Sequence, residues 1–384
     1  MDIKTTDKTY VVGTYNRYGV AIVSGSGSRC VDDSGKEYID LGSGIGVNSL
    51  GYCDSGWIGA VTAQLNALQH ASNLYYTQPC AALAKTLCQR SGYLKAMFGN
   101  SGAEANEAAI KTARKYSFDK YGRGRDVIVT LRNSFHGRTM ATLTATGQDV
   151  FHNYFFPFND GFKYADKNID EIAAIDGVCA VMVEFVQGEG GVIPTDKEFI
   201  AQLKQLCDER DILLIADEVQ TGIGRTGKLL ASEHYGILPD ITTLAKGLGA
   251  GLPIGAMLVG EKCADTLTFG THGTTFGGNP VVCAGALEVL GRLDDAALKE
   301  VERKGKYIVS KLQGCSGVDG VDGLGMMLGI RLKNKAASDV LKDCIQEGVL
   351  VLTAKDKIRL LPPLTISDKD LQEGIDRLIS AIAK

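Results

Sequence analysis

Apolar residues follow two rhythms along this chain. Between residues 10 and 42 they come in short runs broken by turn formers, which predicts strands at 20–24 and 38–41 around the turn Asp32-Asp33-Ser34-Gly35. From about residue 57 onward, helical spacing alternates with short runs rich in Val, Ile, Leu and Ala. Those runs, at 179–186, 212–219, 241–244 and 256–259, predict buried strands, with helices at 194–209 and 279–292. Strands alternating with helices imply an α/β fold with a mostly parallel sheet covered on both faces. Beyond about residue 295, amphipathic helices and strand candidates at 326–332 and 357–361 predict a second, smaller α/β unit.

Composition narrows the class. The chain has 384 residues, enough to bury a large core, and 45% hydrophobic with 22% charged residues is ordinary for a globular protein. A formal charge of −4 argues against nucleic acid or an anionic membrane surface as partner. No apolar run approaches the roughly 20 residues of a membrane helix. The polar start Met1-Asp2-Ile3-Lys4-Thr5-Thr6 predicts no signal peptide. The ten cysteines are scattered, with neither a CxxC pair nor metal-ligand spacing, so a reduced, cytoplasmic protein without a bound metal is expected.

Four segments carry candidate chemistry. In Gly99-Asn100-Ser101-Gly102-Ala103-Glu104-Ala105-Asn106-Glu107, Ser101 and Glu104 have capping-box spacing, and a small-residue turn opening a helix offers free N–H groups to a phosphate. The run 212–220 ends in Asp217-Glu218-Val219-Gln220, placing carboxylates at the carboxyl edge of the sheet, where ligands bind. A buried Asp there needs a cationic partner, and a protonated heterocycle nitrogen serves. Lys246 follows the apolar run 241–244 among small residues, and a desolvated lysine is a competent amine nucleophile. Phe135-His136-Gly137-Arg138-Thr139 joins an aromatic face to an arginine, the natural bidentate partner of a carboxylate. Gly222-Ile223-Gly224-Arg225-Thr226-Gly227 also fits GxGxxG, which keeps a nucleotide-binding protein open as a rival. The P-loop version fails because Leu229 offers magnesium no hydroxyl.

In this order, the segments resemble the class III pyridoxal-phosphate aminotransferases, most closely those acting on acetylornithine in arginine biosynthesis. The most specific parts are Asn100–Glu107, Asp217–Gly227, Lys246-Gly247 and His272-Gly273-Thr274-Thr275-Phe276-Gly277-Gly278-Asn279-Pro280, and the 29 residues from Asp217 to Lys246 match the family's spacing. The resemblance implies a fold type I transferase: a large cofactor domain over 51–285, with a small domain built from 1–50 and 286–384. It implies pyridoxal 5'-phosphate bound covalently by Lys246, Asp217 on the pyridine nitrogen, and Phe135 on the ring with Glu218, Val219 and Gln220 beside it. Gly102 and Ala103 are then expected at the phosphate, and Thr275 at the phosphate of a partner subunit in a homodimer. On the substrate side it implies Arg138, Thr274 and Tyr15 for the acylated amino donor, and Arg359, gated by Glu189, for 2-oxoglutarate. Relatives acting on succinylornithine, succinyl-diaminopimelate, ornithine or 4-aminobutyrate share the pattern. Gly51-Tyr52-Cys53-Asp54-Ser55 departs from the family's usual Gly-His-x-His-Pro.

Overall fold

The computed structural model describes residues 2–384. A seven-stranded sheet forms its centre, in the order Lys95–Gly99, Gly255–Val259, Ile241–Leu244, Leu213–Asp217, Val178–Val183, Val127–Leu131, Phe162–Ala165. All strands run parallel except Gly255–Val259, which is antiparallel to both neighbours. The predicted strands at 212–219 and 241–244 are adjacent, with Asp217 opposite Thr243. Val178–Val183 and Leu213–Asp217 are buried at every position, as a sheet covered on both faces requires.

The predicted helices start where capping chemistry puts them. Asp196 accepts from the N–H of Glu198 and Phe199 and opens Lys197–Glu209, so the predicted start at 194 is early by about a turn. Asn279 caps Pro280–Arg292, with proline at its first position. This helix runs unbroken through the expected 285/286 division. The departing Gly51–Ser55 stretch is structural: Asp54 caps Ser55–Ala67, and the Tyr52 hydroxyl donates to Asp40 at 2.7 Å.

Both chain ends meet beyond the central sheet. Val349–Leu350 pairs in parallel with Glu37–Asp40, extending the sheet of Ile22–Ser26 and Arg29–Asp32. A second sheet joins Val318–Leu324, Met327–Leu332, Lys357–Leu360 and Leu352–Ala354, all antiparallel, and carries Arg359. All ten cysteines are free. Among the described residues no helix is long and apolar enough to cross a membrane.

Phe185 follows the central strand and is fully buried, its ring stacked on Tyr235 with centroids 4.7 Å apart. Phe185→Ala should destabilise the fold by about 3–5 kcal/mol, through lost transfer energy and the cavity left behind. Chemical denaturation measures this, and a loss below about 1 kcal/mol would mean the site collapses freely around the missing ring.

Candidate active site

Parallel strands deliver their carboxyl ends to one edge of the sheet, and that edge holds a cavity of about 430 Å³. Neighbouring strand ends supply Glu184, Asp217 and Lys246, while the turns after Lys95–Gly99 and Val127–Leu131 supply Asn100–Ala103 and Phe135–Arg138. The sequence-predicted residues Gly102, Ala103, Phe135, Arg138, Glu189, Asp217, Val219, Gln220 and Lys246 all line this one cavity.

Asp217 is 5% exposed. Its Oδ2 accepts from Asn106 Nδ2 and His136 Nδ1, each at 2.8 Å, and its Oδ1 from the Val219 N–H at 3.0 Å. Asn106 is itself fixed, donating to the His136 carbonyl at 2.7 Å and accepting from the Thr243 hydroxyl at 2.7 Å. The carboxylate is therefore held rigidly at the cavity wall, with lone pairs remaining for a cationic ligand nitrogen.

Lys246 follows its strand with a φ of +40°, sparsely populated for a residue with a side chain. Burial lowers its amine below the ordinary lysine value, and Glu189 and Asp217 oppose that shift only in part. At the opposite wall, Ser101 caps the helix Gly102–Tyr121, accepting from the Glu104 N–H at 3.2 Å. First-turn N–H groups have no acceptor within their helix, and Gly102 and Ala103 bring theirs to the cavity. A Cβ on Gly102 would lie 2.6 Å from Val219 Cγ1, so only glycine lets the helix start approach the Asp217 strand this closely.

Two arginines differ sharply. Arg359 is 3% exposed, donating to Glu189 at 2.5 Å and to Gln220 Oε1 at 3.3 Å, with its Nε unpartnered. Burial alone would raise the Glu189 carboxyl, but the charge and hydrogen bond of Arg359 hold it below its ordinary value. Arg138 is exposed, its guanidinium 4.2 Å from the Phe151 ring centre and 5.6 Å from that of Phe135.

Other expectations land elsewhere. Glu218 does not line the cavity: its buried carboxylate accepts from the N–H groups of Ala231 and Ser232 at 2.5 and 2.9 Å, tying down the segment after the glycine-rich loop. Burial pushes that carboxyl up to about 7. Thr274 and Thr275 line a second cavity of about 450 Å³ with His70–Thr77, joined to the first through Asn100, whose amide donates to Thr274 at 3.1 Å. Tyr15 is 76% exposed and outside both cavities. The GxGxxG run offers no groove for a nucleotide: residues 221–227 are all buried, and Arg225 donates to the carbonyls of Met326 and Pro362.

Sequence reasoning assigned no role to Asn106, His136 or Glu184. Asn106 and His136 fall within the segments 99–107 and 135–139. Glu184 falls inside the run expected as a strand at 179–186, whereas the strand ends at Val183.

The residues present fit pyridoxal phosphate. The cavity pairs a helix N-terminus with a buried carboxylate, an aromatic face and a desolvated lysine, and among the described residues no cluster of metal-ligating side chains competes.

Comparison with known proteins agrees. A family model described as aminotransferase class-III matches residues 10–382. The acetylornithine aminotransferase of Haemophilus ducreyi is 50% identical, covering 100% of this chain and 98% of its own. That of Methanocaldococcus jannaschii is 44% identical, over 98% of this chain and 96% of its own. Among solved structures, the ornithine aminotransferase of Toxoplasma gondii superposes with a TM-score of 0.94 at 31% identity, covering 99% of this chain and 94% of its own. The N-acetylornithine aminotransferase of Stenotrophomonas maltophilia gives 0.85 at 36% identity, covering 99% of this chain and 98% of its own.

Asp217→Ala would leave the buried Asn106 and His136 donors without their acceptor and remove the carboxylate that the cavity offers to a cationic ring nitrogen. Pyridoxal phosphate should bind the variant apoenzyme at least about tenfold more weakly, equivalent to about 1.4 kcal/mol. Titration followed by fluorescence decides, and wild-type affinity would remove Asp217 from the cofactor's contacts.

Proposed function

Because the chain belongs to the class-III aminotransferase family, we propose that it moves the terminal amino group of N2-acetyl-L-ornithine to 2-oxoglutarate, using pyridoxal phosphate. The products are N-acetyl-L-glutamate 5-semialdehyde and L-glutamate. The observation that carries this reading is the pairing of buried Arg359 with Glu189 beside Lys246, while Arg138 stands exposed at the same cavity.

The two half-reactions put different groups near one reacting carbon. A terminal amine brings no carboxylate there, so an unpaired Arg359 would be a buried charge without a partner, which is costly. Glu189 neutralises it while the acylated donor is bound, and Arg138 holds that donor's distal carboxylate. When 2-oxoglutarate binds, its carboxylate takes the place of Glu189 on Arg359. Pyridoxal phosphate supplies an electron sink for the carbanion at the reacting carbon. Asp217 keeps the ring nitrogen protonated, Phe135 and Val219 cover the ring, and the N–H groups of Gly102 and Ala103 hold the phosphate. Lys246 Nζ moves the proton at the substrate carbon, a task suited to an amine whose pKa burial has lowered.

We assign Thr275 to the phosphate of a second copy of the chain, which makes the working enzyme a homodimer. Exposed Tyr75 and Tyr76 lining its cavity, and exposed Phe276 against His70 beside them, support this, as apolar surface a partner would cover. The ten free cysteines support a cytoplasmic setting.

The test separates the arginines. Arg138→Ala should cost on the order of 2–5 kcal/mol in the half-reaction with acetylornithine and much less in that with 2-oxoglutarate. Arg359→Ala should show the reverse. Single-turnover rates of each half-reaction decide. Equal losses in both would end the division of labour.

A further inference from the structure

Glu184 closes the central strand Val178–Val183 and is 6% exposed, yet none of the roles above uses it. Its two oxygens accept from two different loops. Oε2 takes the N–H of Phe135, the ring-covering residue, at 3.0 Å, and Oε1 takes the N–H of Gly188, next to the gate residue Glu189, at 3.2 Å.

The stem of Glu184 is fixed from behind. Its own carbonyl accepts from the Thr195 hydroxyl at 3.1 Å, and the Phe185 carbonyl from the Thr195 N–H at 2.8 Å. Gly188 is the pivot of the gate turn. Its carbonyl accepts from the N–H groups of Gly191 at 3.3 Å and Val192 at 3.2 Å. A Cβ on Gly188 would lie 2.5 Å from Gln220 Oε1, so the turn packs directly on the side chain that touches both Glu189 and Arg359. A shift of the gate turn that carries Glu189 off Arg359 works against the Gly188 hydrogen bond to Glu184.

We propose that Glu184 is a positioning residue that ties the Phe135 turn to the Glu189 turn and so sets how readily the gate on Arg359 opens. This rests on the two-arginine reading above and deepens it. A carboxylate offers one acceptor oxygen to each of the two N–H donors. Burial pushes the Glu184 carboxyl up to about 7, while the neighbouring His136 acts to lower it and Asp217 to raise it.

Glu184→Gln keeps the shape but offers one acceptor, with an amide NH2 facing the other N–H donor. Backbone hydrogen exchange in the apoenzyme should then quicken about tenfold at Phe135 or Gly188, which corresponds to about 1.4 kcal/mol of lost protection. In single turnover the rate with glutamate relative to acetylornithine should rise several-fold, because a looser Glu189 turn leaves Arg359 more often free. A role in bulk stability alone would slow both donors alike. The decisive arm is a double-mutant cycle: on a Glu189→Gln background, where the gate has lost its charge, adding Glu184→Gln should leave the donor ratio unchanged. Additive effects on that ratio, unchanged exchange at both amides, or equal slowing with both donors would each overturn the proposal. Should the Gln variant fail to fold, Glu184→Asp serves, being one methylene too short to reach both loops. Should wild-type enzyme not use acetylornithine at all, the proposed function fails, while the exchange measurement still reports on Glu184.

Discussion

Everything at the site is arranged around one buried carboxylate. Asp217 sits buried at the end of a strand, so the fold must supply donors to its charge, and it does so from three directions. Asn106 comes from the long helix, His136 from the aromatic turn and the Val219 N–H from the chain just beyond. Meeting that electrostatic demand fixes the helix that presents Gly102 and Ala103, and the turn that presents Phe135 and Arg138. In the proposed function a cationic ring nitrogen would be the further partner of this carboxylate, so the constraint that shapes the pocket would also favour its cofactor.

A second constraint comes from Arg359. Its guanidinium is buried on the antiparallel sheet contributed by the chain's C-terminal part and, without lining the cavity itself, bonds Glu189 and Gln220, which do. Burying a charge there is tolerable only with an anion in contact, and the anion can be Glu189 or a substrate carboxylate. In the proposed function that exchange would let one pocket serve an acylated amine and a dicarboxylic keto acid. The Arg225 side chain, donating to Pro362 and Met326 carbonyls, locks the glycine-rich loop of the large sheet to the same C-terminal unit, which keeps Arg359 in place relative to Lys246.

Much of this was legible in the sequence, for physical reasons. Strand runs such as 256–259 are apolar throughout because both faces are covered, and Asn279 and Asp196 mark helix starts because their side chains satisfy orphan N–H groups. Central strands at 95–99, 127–131 and 162–165 were not predicted, since each is short and Lys95, Lys163 or Thr130 interrupts the apolar pattern. The antiparallel direction of Gly255–Val259 was equally hidden, because apolar periodicity carries no sense of direction. At the site, types and spacing pointed to Lys246 and Asp217, whereas Glu218 was misplaced because adjacent residues on a strand face opposite sides. Glu184 stayed invisible because its role lies in two backbone N–H groups, which no side-chain pattern encodes.

The central claim is that Lys246 carries the cofactor, and one measurement addresses it directly. Holoenzyme reduced with borohydride, digested and mapped by mass spectrometry should show a single pyridoxal-phosphate adduct, on the peptide containing Lys246. An adduct on any other lysine, with Lys246 unmodified, would contradict the account.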